Sequence, residues 1–179
     1  MLMHVNAKKV AFLGVSMALS IVLVVLSGII EMNTLFLLAL ASFFTGIAIG
    51  EFGLGAGASY MAGSVILSLI LAPNKLYVFT YAGICFYLVA TEFIWRKVLK
   101  GTYSKKNNRI LMVCKAIIFN IMYIPLVIFV PKLLITRDMS TVMFILLLIG
   151  GQVVLIAYDY AYHYFMNRYW LKLRRILIN

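Results

Sequence analysis

Carboxylates are scarce in this sequence, with five Asp or Glu against sixteen Lys or Arg in 179 residues, for a formal charge of +11. Only 12 % of residues are charged, 65 % are hydrophobic, and the mean hydropathy is +1.06. That leaves too little polar surface to cover a water-soluble globule of this size. The basic residues lie between and beyond apolar runs instead of forming one patch, which argues against a nucleic-acid-binding domain. Histidine is equally sparse: His4 and His163 stand alone, no HExxH or CxxC occurs, and neither a metal nor another cofactor is expected. No paired carboxylates or Ser-His-Asp arrangement points to hydrolysis, so no enzymatic activity is expected. The two cysteines, Cys85 and Cys114, fall in apolar runs at different depths, which favours packing over a disulfide.

What the chain does have is apolar length. A membrane span needs about 20 mostly apolar residues, and six stretches approach this: Val10 to Ile30, Thr34 to Gly50, Phe52 to Ala72, Leu76 to Trp95, Ile110 to Pro131 and Thr141 to Tyr162. The expected class is therefore all-α, one polytopic membrane domain with six transmembrane helices. Lys8-Lys9 before the first run resembles the start of a signal peptide, with Ala39-Leu40-Ala41 as a cleavage triplet. The run is 21 residues, too long for a cleavable core, and the triplet lies inside a second apolar run, so the first segment is read as a retained span.

Basic loops stay in the cytoplasm. With the N-terminus inside, twelve basic residues fall on the cytoplasmic side (Lys8, Lys9, Arg96, Lys97, Lys100, Lys105, Lys106, Arg109, Arg168, Lys172, Arg174, Arg175) and three outside (Lys75, Lys132, Arg137). Six spans with both termini inside satisfy count and charge together. The loop 96–109 holds six of these basic residues and reads either as an orientation signal near anionic headgroups or as a docking surface for a partner. In the tail 163–179, Met166, Tyr169, Trp170, Leu173, Ile176 and Leu177 share one helical stripe, and Arg168, Lys172 and Arg175 share another. This fits an interfacial amphipathic helix or a sixth helix that runs on.

The stretch from Ser42 to Ser64 is rich in small residues at helix-contact spacing, including Gly46, Gly50, Gly53, Gly57 and Gly63, on both sides of Glu51-Phe52. Lipid gives no hydrophobic drive for helix association, so small residues that let backbones approach predict a tight helical hairpin here. A phosphate-binding glycine loop would need a preceding strand and a following Lys-Ser/Thr, and has neither.

Ionisable groups within spans are costly and mark candidate sites. Glu92, Lys115 and Asp159 each fall about one turn from the inner end of a proposed span and form a candidate cluster. The alternative pairs Glu92 with Arg96 at i+4 and lets Lys115 snorkel. Asn120 and Gln152 lie near the centres of spans five and six, placed for a cross-helix amide bond or a transport path. Pro125 is expected to loosen the outer half of span five. On the outer face, Glu31, Asn33, Asn74, Lys75, Tyr77 and Tyr81, with Lys132, Arg137 and Asp138, form either a polar rim for a small-molecule pocket or loops satisfied by water.

Length, six spans and a first helix opening Ala7-Lys-Lys-Val-Ala11 and continuing through Gly14 and Ala18 resemble the substrate-binding S components of energy-coupling-factor transporters. That resemblance implies docking of Ala7 and Ala11 on a transmembrane transporter core and an outward-opening pocket for a vitamin-like or amino-acid-like molecule. Glu31-Met32-Asn33 departs from it, being a bare turn where that family commonly has a longer lid loop. The tracts LAPNKLYVFTYAG and CKAIIFNI also look like uncharacterised small membrane proteins of Gram-positive bacteria. By span count the chain is similar to the rod-shape scaffold protein MreD, which implies a non-transporting assembly role in a bacterial cytoplasmic membrane.

Overall fold

A computed structural model describes residues 7–102, 104–129 and 141–177, and every regular element among them is helical. Helix α1 spans Ala7–Ser27, α2 Thr34–Leu71, α3 Lys75–Phe93, α4 Lys105–Phe129, α5 Thr141–Tyr164 and the short α6 Leu171–Leu177. A π-helical turn, Ile94–Val98, prolongs α3, and another, Phe165–Trp170, joins α5 to α6. Five helices are long and apolar enough to cross a membrane.

The longest of them is folded in two. As a straight rod the 38 residues of α2 would be roughly 57 Å long, against about 30 Å of bilayer core. The helix breaks at Gly53, where φ is +88° and ψ is 173°, a conformation essentially reserved for glycine. Beyond it the chain doubles back: a Cβ added to Gly57 would strike the side chain of Ile49 and come within 3.2 Å of its Cα. Eight residues along a straight helix would put the two about 12 Å apart. The hairpin expected around Glu51-Phe52 therefore turns at Gly53, and each arm, 34–52 and 54–71, is close to the bilayer core in length.

Helix α1, both arms of α2, and α3 pack into one unit. Its centre is apolar, with Val24, Leu38, Ala41, Ala72, Val78, Tyr81 and Cys85, but it is laced with buried hydroxyls. Ser16, Ser27, Ser64 and Thr91 satisfy themselves on carbonyls three residues back in their own helices. Ser20 reaches across to the Ala41 carbonyl, and the Tyr81 hydroxyl bridges Ser20 at 2.8 Å and Ser64 at 3.0 Å. Small hydroxylated side chains combine close helix approach with internally satisfied polarity.

The hairpin of α4 and α5 is a second, looser unit. Only 6 % of the apolar window of α4 and none of that of α5 is buried, against 50 % for α2, so this hairpin shows most of its surface to the surroundings. It is held internally by Gln152 Nε2 donating to Asn120 Oδ1 at 2.8 Å and by the Tyr123 hydroxyl donating to the Leu147 carbonyl at 2.7 Å, beside Gly151.

One boundary differs from expectation and another is decided between two alternatives, both for one reason. The polar segment 96–109 shrinks because the π-turn carries α3 to Val98 and α4 begins at Lys105; Lys100 and Gly101, both at positive φ, make the turn between them. The tail continues α5 through Trp170 into α6, the second of the two arrangements open to it. Hydropathy falls at the first charges, whereas backbone hydrogen bonding continues where those charges are solvated. Lys115 thus sits ten residues, roughly 15 Å, from the start of its helix.

Gly53→Ala and Gly57→Leu are each expected to destabilise the protein by about 1–3 kcal/mol, through backbone strain and overpacking respectively. Gly55→Ala, where nothing lies within 4 Å of an added Cβ, is expected to leave the unfolding temperature in detergent unchanged or slightly raised. Thermal unfolding followed by intrinsic fluorescence checks all three.

Candidate functional site

The two units meet along a stripe of small residues. Ser42, Gly46 and Gly50 on the first arm of α2 receive Tyr158, Tyr162 and Met166, so matching four-residue steps on two parallel segments interlock. The Ser42 hydroxyl is 2.8 Å from that of Tyr158, and the Tyr162 ring lies where a Cβ on Gly46 would have to go. Phe43 adds an edge contact to the ring of Tyr162 and tilted ones to Tyr158 and Phe165. These glycines were expected to serve the hairpin. Of the residues between Ser42 and Ser64, Gly53 and Gly57 do so; the earlier stripe seats α5, and Gly63 accepts Met17 of α1.

Just before the turn, Glu51 anchors the tail. Its side chain is only 8 % exposed, accepts from Trp170 Nε1 at 2.9 Å and pairs with Arg174 at 3.0 Å. Phe12 packs on both Phe52 and Trp170, closing this end of the molecule.

Above the stripe the units part around a cleft of about 490 Å³, within the range of small-molecule sites. Leu35, Phe36 and Leu40 of α2, Phe79 and Ile84 of α3, Phe119, Met122 and Leu126 of α4, and Val154 and Leu155 of α5 make its walls. Four wall residues carry hydroxyls, and all four are already engaged. Thr80 donates to the Leu76 carbonyl, Tyr87 to Asp159, Tyr123 to the Leu147 carbonyl, and Tyr158 shares a hydrogen bond with Ser42.

Beneath the floor formed by Tyr87 and Tyr158 lies a charged cluster. Asp159 Oδ1 accepts from the Tyr87 hydroxyl at 3.0 Å, and Oδ2 pairs with Lys115 Nζ at 2.8 Å. Lys115 Nζ is also 3.2 Å from His163 Nε2. Lys115 and Asp159 side chains are 13 % and 24 % exposed. Glu92 does not join them: Arg96 Nε holds it at 2.6 Å, one turn along the same helix. Of the three residues proposed as a cluster, two meet, and the third takes its local partner because an i+4 neighbour on its own helix is always within reach.

The outer-face residues do not converge. Asn74 caps α3 by accepting from the Leu76 amide, and Lys75 caps the end of α2 on the Leu69 and Ala72 carbonyls. Tyr81 is wholly buried in the hydroxyl network, Tyr77 packs against the same core, and Asn33 is exposed. None of these lines the cleft. The Glu31 side chain, Lys132, Arg137 and Asp138 lie outside the described residues. On α1, Ala7, Ala11, Gly14 and Ala18 share one exposed face, opposite the buried Ser16, Ser20 and Val24. The stripe partners Tyr158, Tyr162 and Met166 escaped the sequence reading, although their spacing of four matches that of Ser42, Gly46 and Gly50.

Compared with protein-family models, curated proteins and solved structures, the chain matches none.

Gly46→Leu would displace the Tyr162 ring and is expected to cost about 1–3 kcal/mol. It is also expected to detach the tail, read as faster proteolysis after residue 164. Gly14→Leu, on the open face of α1, is expected to change neither.

Proposed function

We propose that this chain is a six-span protein of a bacterial cytoplasmic membrane with both termini in the cytoplasm. In this reading it acts as the binding subunit of a small-molecule uptake system and holds its ligand in the cleft between the two units. Counting each arm of α2 as a span gives six, and the basic residues then gather at the end that carries the Gly53 turn, as orientation by Lys and Arg requires. Anionic headgroups would contact that end. The observation that carries the functional reading is the cleft itself, about 490 Å³ of mostly carbon-lined space between α2, α3, α4 and α5.

The lining bears on the kind of ligand. A vitamin or amino acid rich in polar groups would lose its hydration in a wall whose hydroxyls are already satisfied, at a cost of about 1–3 kcal/mol per unpaired group. A predominantly apolar molecule, drawn from the bilayer or its surface, loses nothing comparable. The ligand class supported is therefore hydrophobic. The exposed face of Ala7, Ala11, Gly14 and Ala18 is where a helix of a transporter core would pack, since small residues admit close backbone approach. The chain carries no nucleotide-binding motif, so energy would come from that partner.

The largely uncovered α4–α5 hairpin favours one second reading, a non-transporting scaffold that recruits membrane proteins through that surface. The two separate on occupancy. Native mass spectrometry of protein released from a mild detergent is expected to find an apolar small molecule on the wild type. Ala39→Trp and Ala157→Trp, which fill the cleft from opposite walls, are expected to remove it at least about tenfold, as overfilling a packed site does. An empty wild-type cleft, with proteins retained instead, would favour the scaffold.

A further inference from the structure

Asp159 is bound to two other helices at once. Its carboxylate accepts from Tyr87 on α3 and from Lys115 on α4, while its own helix carries Tyr158 and Ala161 into the cleft wall. We propose that Asp159 is a proton-binding site, and that its protonation releases α5 from α3 and thereby opens the cleft. This rests on the reading of the cleft as the ligand site.

The argument is one of donors and acceptors. An ionised carboxylate only accepts, and here each oxygen meets a donor from a different helix. Charge-assisted bonds of this kind are roughly twice as strong as neutral ones. Adding a proton leaves the lysine, which can only donate, without its counter-charge, and turns the contact with Tyr87, whose hydroxyl can donate or accept, into a neutral hydrogen bond of about half the strength. A buried pair that loses one charge is strongly destabilised. The contact that ties α5 to α3 at the cleft floor is therefore the one that protonation weakens, while Ser42 with Tyr158 and Glu51 with Trp170 still hold α5 to α2. Those contacts lie along one side of α5, so they act as the hinge.

The charged and titratable surroundings are few. Tyr87 faces Asp159 from α3, Lys115 from α4, and His163 lies one turn along α5; Tyr162, Glu92 and Arg96 lie within electrostatic reach beyond them. From α2 the near groups are the uncharged Ser42 and Thr45. His163 needs an unprotonated Nε2 to accept from Lys115, so acid would weaken that bond too, but among the described residues that bond joins α5 to α4 and not to α3. Coupling is reciprocal: if a proton favours the open cleft, a ligand that favours the open cleft draws in a proton.

The test uses the full chain in liposomes, with Cys85→Ser and Cys114→Ser and spin labels on Leu76→Cys and Val142→Cys, at the cleft end of α3 and α5. From about pH 8 to about pH 4, a range that covers carboxylate and imidazole titration, the label distance in the parent is expected to shift to a longer population. The population ratio should change by at least about tenfold, equivalent to about 1.4 kcal/mol. Asp159→Asn is expected to show the acid distribution at every pH, and Tyr87→Phe to move toward it at neutral pH. His163→Gln is expected to keep the shift. A shift that survives Asp159→Asn, or that His163→Gln abolishes, overturns the assignment, and so does a parent distance that does not change with pH. Native mass spectrometry at the two extremes separates this from the underlying reading. A wild type empty at both pH values defeats the ligand site, whereas one equally occupied at both defeats only the proton coupling.

Discussion

Three small residues at four-residue spacing decide the architecture. Ser42, Gly46 and Gly50 on the first arm of α2 leave room for the ends of the Tyr158, Tyr162 and Met166 side chains, which reach across from α5 and its continuation. In lipid, where apolar surfaces gain nothing by leaving their surroundings, contact of this kind is the main force that joins helices. The stripe ends at Ser42. Above it Leu35 and Phe36 project from the same arm, and the two units diverge into the cleft.

Polarity is handled differently in the two units. Within α1, α2 and α3 it is dispersed over hydroxyls, most of which find a carbonyl or another hydroxyl close by, and Glu51 is the buried charge, at the end of the first arm of α2. In the α4–α5 hairpin it is concentrated in the Asn120–Gln152 pair and the Lys115–Asp159 pair. The first unit is close-packed for that reason, and the second is tied to it by few contacts. A body with one rigid and one lightly attached part is suited to opening at the seam, and the Tyr87–Asp159 bond crosses that seam.

The chain has five carboxylates, and three of them, Glu51, Glu92 and Asp159, hold the described ion pairs. Two of those fasten α5 and its continuation to the rest of the protein. Glu51 does so at the solvated end through Trp170 and Arg174, and Asp159 does so beneath the cleft through Tyr87 and Lys115. Scarcity of acid is therefore not mere background to a basic, apolar composition, since two of the three acids in the described ion pairs stand at junctions between units.

Some of this was legible in the sequence. Hydropathy is a sum along the chain and needs no knowledge of neighbours, so the all-helical class, the apolar segments and the need for a turn near Glu51 followed from residue order alone. The Asn120–Gln152 pair was legible too, because a short connection makes adjacent helices neighbours at equal depth. Tertiary structure alone decided which groups meet across helices that are not adjacent. Glu92 turned to Arg96 and Asp159 to Lys115, Tyr81 went into the core instead of a pocket, and the glycine stripe received α5 instead of its own hairpin partner. Those outcomes depend on the rotation of each helix about its axis and on the angle between axes. Both are fixed only when all the side chains pack at once, so no count of residues along a single segment contains them.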